Sequence, residues 1–552
     1  MLLKSEMKLN YYSDFRLPAY NSHQATGANL ESETMGRFDP MNSVLYLKDD
    51  IATALDTRGE LPHSSVEEPG SPVSLSFATY LHEIIHWWQH VGSTAGFIYS
   101  LGIPTQSLAT AKYVYEARRQ IAKPFIDNVS QKIPLDHPAW LAVLRWSEAE
   151  FGATLMYSPR TATATLKANP NFYESLGHSV LSLYIQTMAA LASTFDQSYL
   201  GLPNPLPWFD QYEHFARTGK PCFSPNEIIE LPLGLHELFE AQARLSELQY
   251  RALTYKQMTW AEAKAGGWLS KEYGRAFKLF LELSGLPEPE SLFDSQVYLF
   301  LLLCDIAVNP EEGYPGDVLD DGHFVYRTHP GIRFMKLCRL VSKEPGAMPF
   351  VETLSLKGYE AACEILCSKA GWATPVQIGE HILSLMDHMS GMEELLAQDE
   401  AGDYGVMDVP IRFHFMRHRA FLESKVSAPH FFCWPAAFLA VPDNTGHDVE
   451  PIQELLSWHL PPFLTDSLNA GVSAHNLPQM EADKRSKFVS DYFSTQVLYD
   501  LVRQWISLLG PFSLSYPWKP KMSAEDEETL RHRFKVNFDI EMTEIEMTEN
   551  RF

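Results

Sequence analysis

The stretch Ala78–Gly92, ATYLHEIIHWWQHVG, places His82, Glu83 and His86 in the order H-E-x-x-H, with His90 one turn further on. A helix sets residues i and i+4 on the same side, so His82 and His86 can aim both imidazoles at one cation. Glu83 lies beside them, within reach of a water on that cation but poorly placed to be a ligand. Two neutral imidazoles to hold a metal, and a carboxylate to take a proton from water, are the division of labour that zinc hydrolysis needs. The plainer alternative is a buried helix whose histidines are satisfied in the core. It leaves unexplained why Glu83 occupies the position a general base requires. His90 continues the same row and reads as a rim residue, not a ligand.

A helix must hold these side chains still. Phe77, Leu81, Ile84, Trp88 and Val91 recur at spacings of four, three, four and three, an apolar stripe beside the histidine row. Ser71-Pro72 suits a helix start, and Gly92 offers a stop.

HEIIHWWQH, followed by GSTAG, resembles the active-site helix of the zincin metallopeptidases, over about 20 of the 552 residues. The resemblance implies a strand-plus-helix upper part in which substrate backbone pairs with an edge strand above the metal; residues 42–51 are the candidate strand. It also implies zinc, three protein ligands and an open position for water. The extended H-E-x-x-H-x-x-G-x-x-H pattern is absent, because position 89 is Gln and position 92 is Gly. The third ligand is then expected on a downstream helix, as in gluzincins. In GLHELFEAQARLSELQY (Gly234–Tyr250), Glu240 is followed by Ala243, similar to the Glu-x-x-Ala ligand helix of that group, and Glu247 lies two turns on. In RWSEAEFGATLMY (Arg145–Tyr157), Glu150 is followed by Ala153 in the same way. Glu240 is the fuller match; Glu150 and Glu237 stay open as alternatives, and for each the plain reading is a solvated helix face. The long interval from His86 to Glu240 requires an inserted helical region. The THPGIR segment resembles a His-Pro…Arg element of some zincins. It offers His329 or Tyr326 as donor to a developing oxyanion, with Arg333 to bind a carboxylate or brace the site.

The rest of the chain bounds these expectations. It has 552 residues, 45% of them apolar, enough for a large core and more than one domain. A formal charge of −25 and the lack of a Lys/Arg run disfavour nucleic acid. Six scattered cysteines without C-x-x-C spacing read as reduced thiols, with Cys363 and Cys367 as core neighbours. MLLKSEMKLNYYSDF lacks the apolar core of a signal peptide. The most apolar run, Val297–Val308, contains Asp305 and is shorter than the roughly 20 residues a bilayer needs, so it reads as a buried helix. These features predict a cytoplasmic protein with no membrane contact.

Helical periodicity covers 72–91, 105–121, 137–157, 171–195, 226–256, 260–284, 291–308, 331–343, 356–369, 376–397 and 410–440, with a final helical pair over 485–510. His414 and His418 fall on one amphipathic helix without an adjacent acid. Residues 56–72, 309–322, 398–410 and 442–451 read as loops, and IEMTE-IEMTE at 540–549 as an acidic end. The expected fold is mainly α (α+β): a zincin-like core with a small N-terminal β-sheet and a large helical remainder. Residues 1–345 form the catalytic region with its helical insertion, and residues 346–552 form a helical C-terminal region with the acidic tail. The leading expectation is a zinc-dependent hydrolase of peptide or protein substrates, with Zn2+ on His82, His86 and Glu240 and with Glu83 as general base. The rival is an inactive or regulatory metal-binding protein on the same scaffold, acting through a protein partner docked on the C-terminal region.

Overall fold

The computed structural model describes residues 35–56, 72–118, 138–160, 176–209, 231–255, 258–319, 323–405, 408–439, 449–465, 480–507 and 524–538, with isolated positions at 472, 474, 477 and 541. Of the expected loop at 56–72, Asp56 and Pro72 are helix ends and the rest lies outside these residues, as does the repeat at the C-terminal end apart from position 541.

Three short strands form one sheet in the order β1 (Gly36–Asp39), β2 (Val44–Leu47), β3 (Phe463–Thr465). β1 runs antiparallel to β2, with Gly36 opposite Leu47 and Asp39 opposite Val44. The turn between them closes on Asp39, whose carboxylate accepts from the backbone N–H groups of Met41 and Asn42. β3 pairs parallel with the other side of β2. All four residues of β2 are buried, as the VLYL run suggests. The expected strand at 42–51 is nevertheless central rather than at the edge, and it ends at Leu47. A helix begins at Asp49, where two acidic residues sit in its first turn. Among the described residues β1 is the sheet edge on the side of the histidine motif.

The motif lies on the helix Pro72–Gly92, here the metal helix. It is buried on every side from Ser76 to Gly92, not only along the expected apolar stripe. It is packed by β1, by the next helix, Thr94–Arg118, by Leu235–Tyr255 (the glutamate helix) and by Val409–Ser427. Gly92 closes the metal helix for a packing reason: a Cβ there would stand 2.1 Å from a ring carbon of Phe421.

Ser295–Ala307 is the buried helix expected of the most apolar run, sealed from Val297 to Ala307. Its one charge, Asp305, is matched: Lys425 Nζ lies 2.7 Å from one carboxylate oxygen and the Tyr359 hydroxyl donates to the other at 2.5 Å. Lys425 also donates to the Gly92 carbonyl at 3.2 Å, which ties the end of the metal helix to this buried pair. The cysteines described, Cys304, Cys338, Cys363, Cys367 and Cys433, are free and buried.

Elsewhere several helical runs break or shift, among them 410–440, which splits into Val409–Ser427, Pro429–Cys433 and Pro435–Leu439. The run 260–284 splits into Trp260–Ala265 and Glu272–Ser284 at Gly266-Gly267, where Gly267 adopts φ +77°. The run 376–397 splits into Pro375–His388 and Met392–Ala401. The C-terminal pair is one helix, Ala482–Ser507, and a further helix follows at Ala524–Phe538. The molecule is mostly helical with a small sheet, and no helix among the described residues is long and apolar enough to cross a membrane.

Candidate metal centre

Two helices build the centre. The metal helix supplies His82 and His86 one turn apart, and the glutamate helix, packed against it, supplies Glu240. One donor atom from each of these three lies within 4.8 Å of the other two, the single such group among the described residues. His82 Nε2 and His86 Nε2 are 3.1 Å apart. Glu240 faces both, with Oε2 3.5 Å from His82 Nε2 and Oε1 3.6 Å from His86 Nε2.

The outer nitrogens of both rings are engaged. Gln89, one turn along the metal helix, donates its amide hydrogens to the Phe239 carbonyl and to Gln242 Oε1. Its own oxygen must therefore accept, and it lies 2.8 Å from His86 Nδ1. This assigns the proton of His86 to Nδ1 and leaves a lone pair on Nε2. His82 Nδ1 stands 3.2 Å from Glu247 Oε2, an ion-pair contact without the alignment of a good hydrogen bond. Glu247 is itself clamped by Arg244 and by Arg251, the latter at 2.9 Å. Burial opposes its charge, but His82 and the two arginines outweigh that and bring it down to about 2.

The donor set fits a cation. The lone pair of His86 Nε2 faces His82 Nε2 across 3.1 Å beside the Glu240 carboxylate, a set of donors that either a proton on His82 or a metal cation satisfies. Without a metal, the three side chains pair among themselves. Burial would lower His82, yet bonds to Glu240 and Glu247 push it up to about 9. Burial would raise Glu240, yet the two histidines hold it well below the usual carboxylate range. A zinc ion suits two imidazoles and one carboxylate.

Glu83 stands next to these ligands and not among them. It is buried, and burial raises its pKa, with His82 and His86 opposing and Glu240 and Glu247 adding to the rise. Its side chain rests on β1, where a Cβ on Gly36 would meet Glu83 Cγ at 2.9 Å and Oε1 at 3.0 Å. Two residues along the strand, Phe38 packs 6.0 Å from the Trp87 ring and 5.8 Å from His90. The strand therefore lies along the metal helix, with a gap at Gly36 that the carboxylate fills.

The other candidates go elsewhere. His90 bonds Ser100 Oγ at 2.9 Å. Glu150 is buried against Arg503 at 3.4 Å. Glu237 reaches back to the Gly234 N–H at 2.9 Å and pairs with Arg275, capping the start of the glutamate helix. His329 corrects the expectation of an oxyanion donor. It is fully buried at the start of Pro330–Val341, its Nδ1 accepts from the Gly331 N–H, and its Nε2 faces the Leu155 carbonyl at 3.1 Å. Neither ring nitrogen is left for substrate. Tyr326 stands on the separate short helix Phe324–Thr328, with its ring 6.4 Å from His323, and neither helix of the centre carries it. Arg333 is a brace: its guanidinium donates to the carbonyls of Ile306, Ala307 and Asn309 and closes the end of the buried helix.

Three residues next to the centre escaped the sequence reading of the site. Gln89 and Glu247 hold the histidines; the i+3 and i+7 spacings from His86 and Glu240 are the signals that place them. Tyr273, on Glu272–Ser284, lies with its ring 6.2 Å from that of His82, under the Arg244 guanidinium at 4.1 Å. No local pattern marks it, because it arrives from a third helix. No family model matches this chain, and neither a curated protein nor a solved structure does.

Proposed function

We propose that this chain is a zinc-dependent hydrolase, with peptides as its substrate class. One observation carries the reading: the Nε2 atoms of His82 and His86 stand 3.1 Å apart beside Glu240, with the proton of His86 fixed on its far side by Gln89. His82, His86 and Glu240 would hold the ion. A zinc ion held by these three donors would keep room for water or substrate. When bound, zinc supplies a Lewis acid that acidifies water and polarises a carbonyl.

The chain's own residues do the rest. Glu83 is buried with a raised pKa, which suits a carboxylate that must take a proton near neutral pH. It takes one proton from the attacking water, and the same proton is available to the leaving nitrogen when the C–N bond breaks. β1 holds Glu83 in place through the missing side chain of Gly36 and presents the sheet edge along which an extended peptide can lie.

The test has two parts. Protein purified without added metal should hold about one zinc per chain, as expected for a single three-ligand site. Glu83→Gln should keep that zinc and lose roughly 10²–10⁴-fold in peptide hydrolysis. Full activity in Glu83→Gln would overturn the mechanism. Zinc bound by a wild-type chain that cleaves no peptide would favour the regulatory reading.

A further inference from the structure

His236 opens the glutamate helix, one turn before Glu240. Its Nδ1 is shielded from solvent and has no hydrogen-bond partner. That atom stands 3.9 Å from Glu240 Oε1, the oxygen that faces His86 Nε2. The side chain as a whole is 33% exposed, so the ring bridges solvent and the centre. Its plane is fixed by neighbours: Tyr157 lies 5.2 Å away and is itself stacked on Tyr99 at 4.7 Å. The backbone holds this arrangement, because Gly234 sits so close to the Tyr157 carbonyl that a Cβ would approach it to 2.4 Å. Several buried polar atoms of this chain lack a partner, but among them His236 Nδ1 combines a place beside Glu240 with a side chain open to solvent. Tyr273, whose ring lies 6.2 Å from that of His82, has its hydroxyl engaged with Arg244.

We infer that His236 is a catalytic residue, a hydrogen-bond donor to the oxygen that becomes anionic during hydrolysis; this rests on the hydrolase reading above. As the water oxygen bonds to the carbonyl carbon, the π pair of the C=O bond moves onto the carbonyl oxygen and the water proton passes to Glu83. His236, in its Nδ1–H tautomer, donates to that oxygen and keeps its proton. Glu83 reaches the reacting atoms from the metal helix and His236 from the glutamate helix, so base and donor are held by different elements.

The experiment compares two ligands of the zinc-loaded chain. One is a phosphonamidate tripeptide, whose tetrahedral phosphorus oxygens stand in for the developing oxyanion. The other is a mercaptoacetyl peptide of equal length, which binds through sulfur and offers no such oxygen. His236→Phe keeps a ring against Tyr157 and removes the donor. It should weaken the phosphonamidate by at least about 100-fold and leave the sulfur ligand within about threefold, and His236→Gln should recover part of the loss. Equal changes for both ligands, unchanged phosphonamidate binding, or a selective loss in Tyr273→Phe instead would overturn the assignment. A wild-type chain that binds both probes but cleaves no peptide would end the peptidase reading, while a selective loss in His236→Phe would still place the donor beside the tetrahedral oxygen. A zinc-loaded wild-type chain that binds neither probe would end both.

Discussion

At the scale of single residues, Glu247 is the side chain through which the proposed metal site is most directly tested. It is a buried carboxylate beside the outer nitrogen of His82, and two arginines keep it charged. A carboxylate in that place orients the ring and raises the basicity of the nitrogen facing the metal. Glu247→Gln keeps the shape and removes the charge. It should weaken zinc affinity by roughly 10–100-fold, read by competition with a chelator. An unchanged affinity would show that Gln89 and packing alone position the two imidazoles. Trp268 packs on both clamping arginines, with Arg244 5.6 Å and Arg251 5.0 Å from its ring, so the Gly266–Lys271 loop covers the clamp from outside.

At the scale of elements, the end of the metal helix is wedged against Val409–Ser427. Gly92→Ala would drive a methyl group into the Phe421 ring, and the surrounding core has no slack to move it. The expected cost is about 1–3 kcal/mol, seen as a lowered Tm by calorimetry, with partial recovery when Phe421→Leu is added. If the single substitution leaves Tm unchanged, the close approach does not matter to the fold. This contact also shows what was legible in the sequence. The helix, its histidines and the match at Glu240 were readable because helical spacing and a short motif are local signals. The reason for Gly92 was not, since it depends on a side chain more than three hundred residues away. The same holds for β1 and β3, strands of four and three residues that exist only through their pairing with β2. His329 misled for a related reason: a His-Pro helix entry has the same local pattern whether the imidazole caps the chain or meets a substrate.

At the scale of the whole molecule, buried neutral histidines set the response to acid. Burial lowers His329, His414 and His459 to about 4 and His418 to about 3, from an ordinary value near 6.5. The unfolded chain therefore binds protons in the window from 6.5 down to about 4 that the folded chain does not. Stability from these groups is complete above 6.5 and is lost as pH falls through that window. Glu83 and Glu150, raised by burial, act in the opposite sense on acidification. With His90 lowered as well and Asp408 raised, five imidazoles against three carboxylates predict a fold that loses its cooperative melting transition between about pH 6 and 4, measured by calorimetry across pH. Flat stability down to pH 4 would mean that the histidines find water or partners when protonated.

β3 pairs with β2 across some 400 residues of chain. A ribosome delivers about 5–20 residues each second, so β2 and the strand that supports Glu83 wait roughly 20–80 s for their third member. The histidines and both glutamates of the centre are made long before then. The sheet beside them closes only after Phe463 has emerged, so the order of synthesis itself delays completion of the sheet on which Glu83 rests.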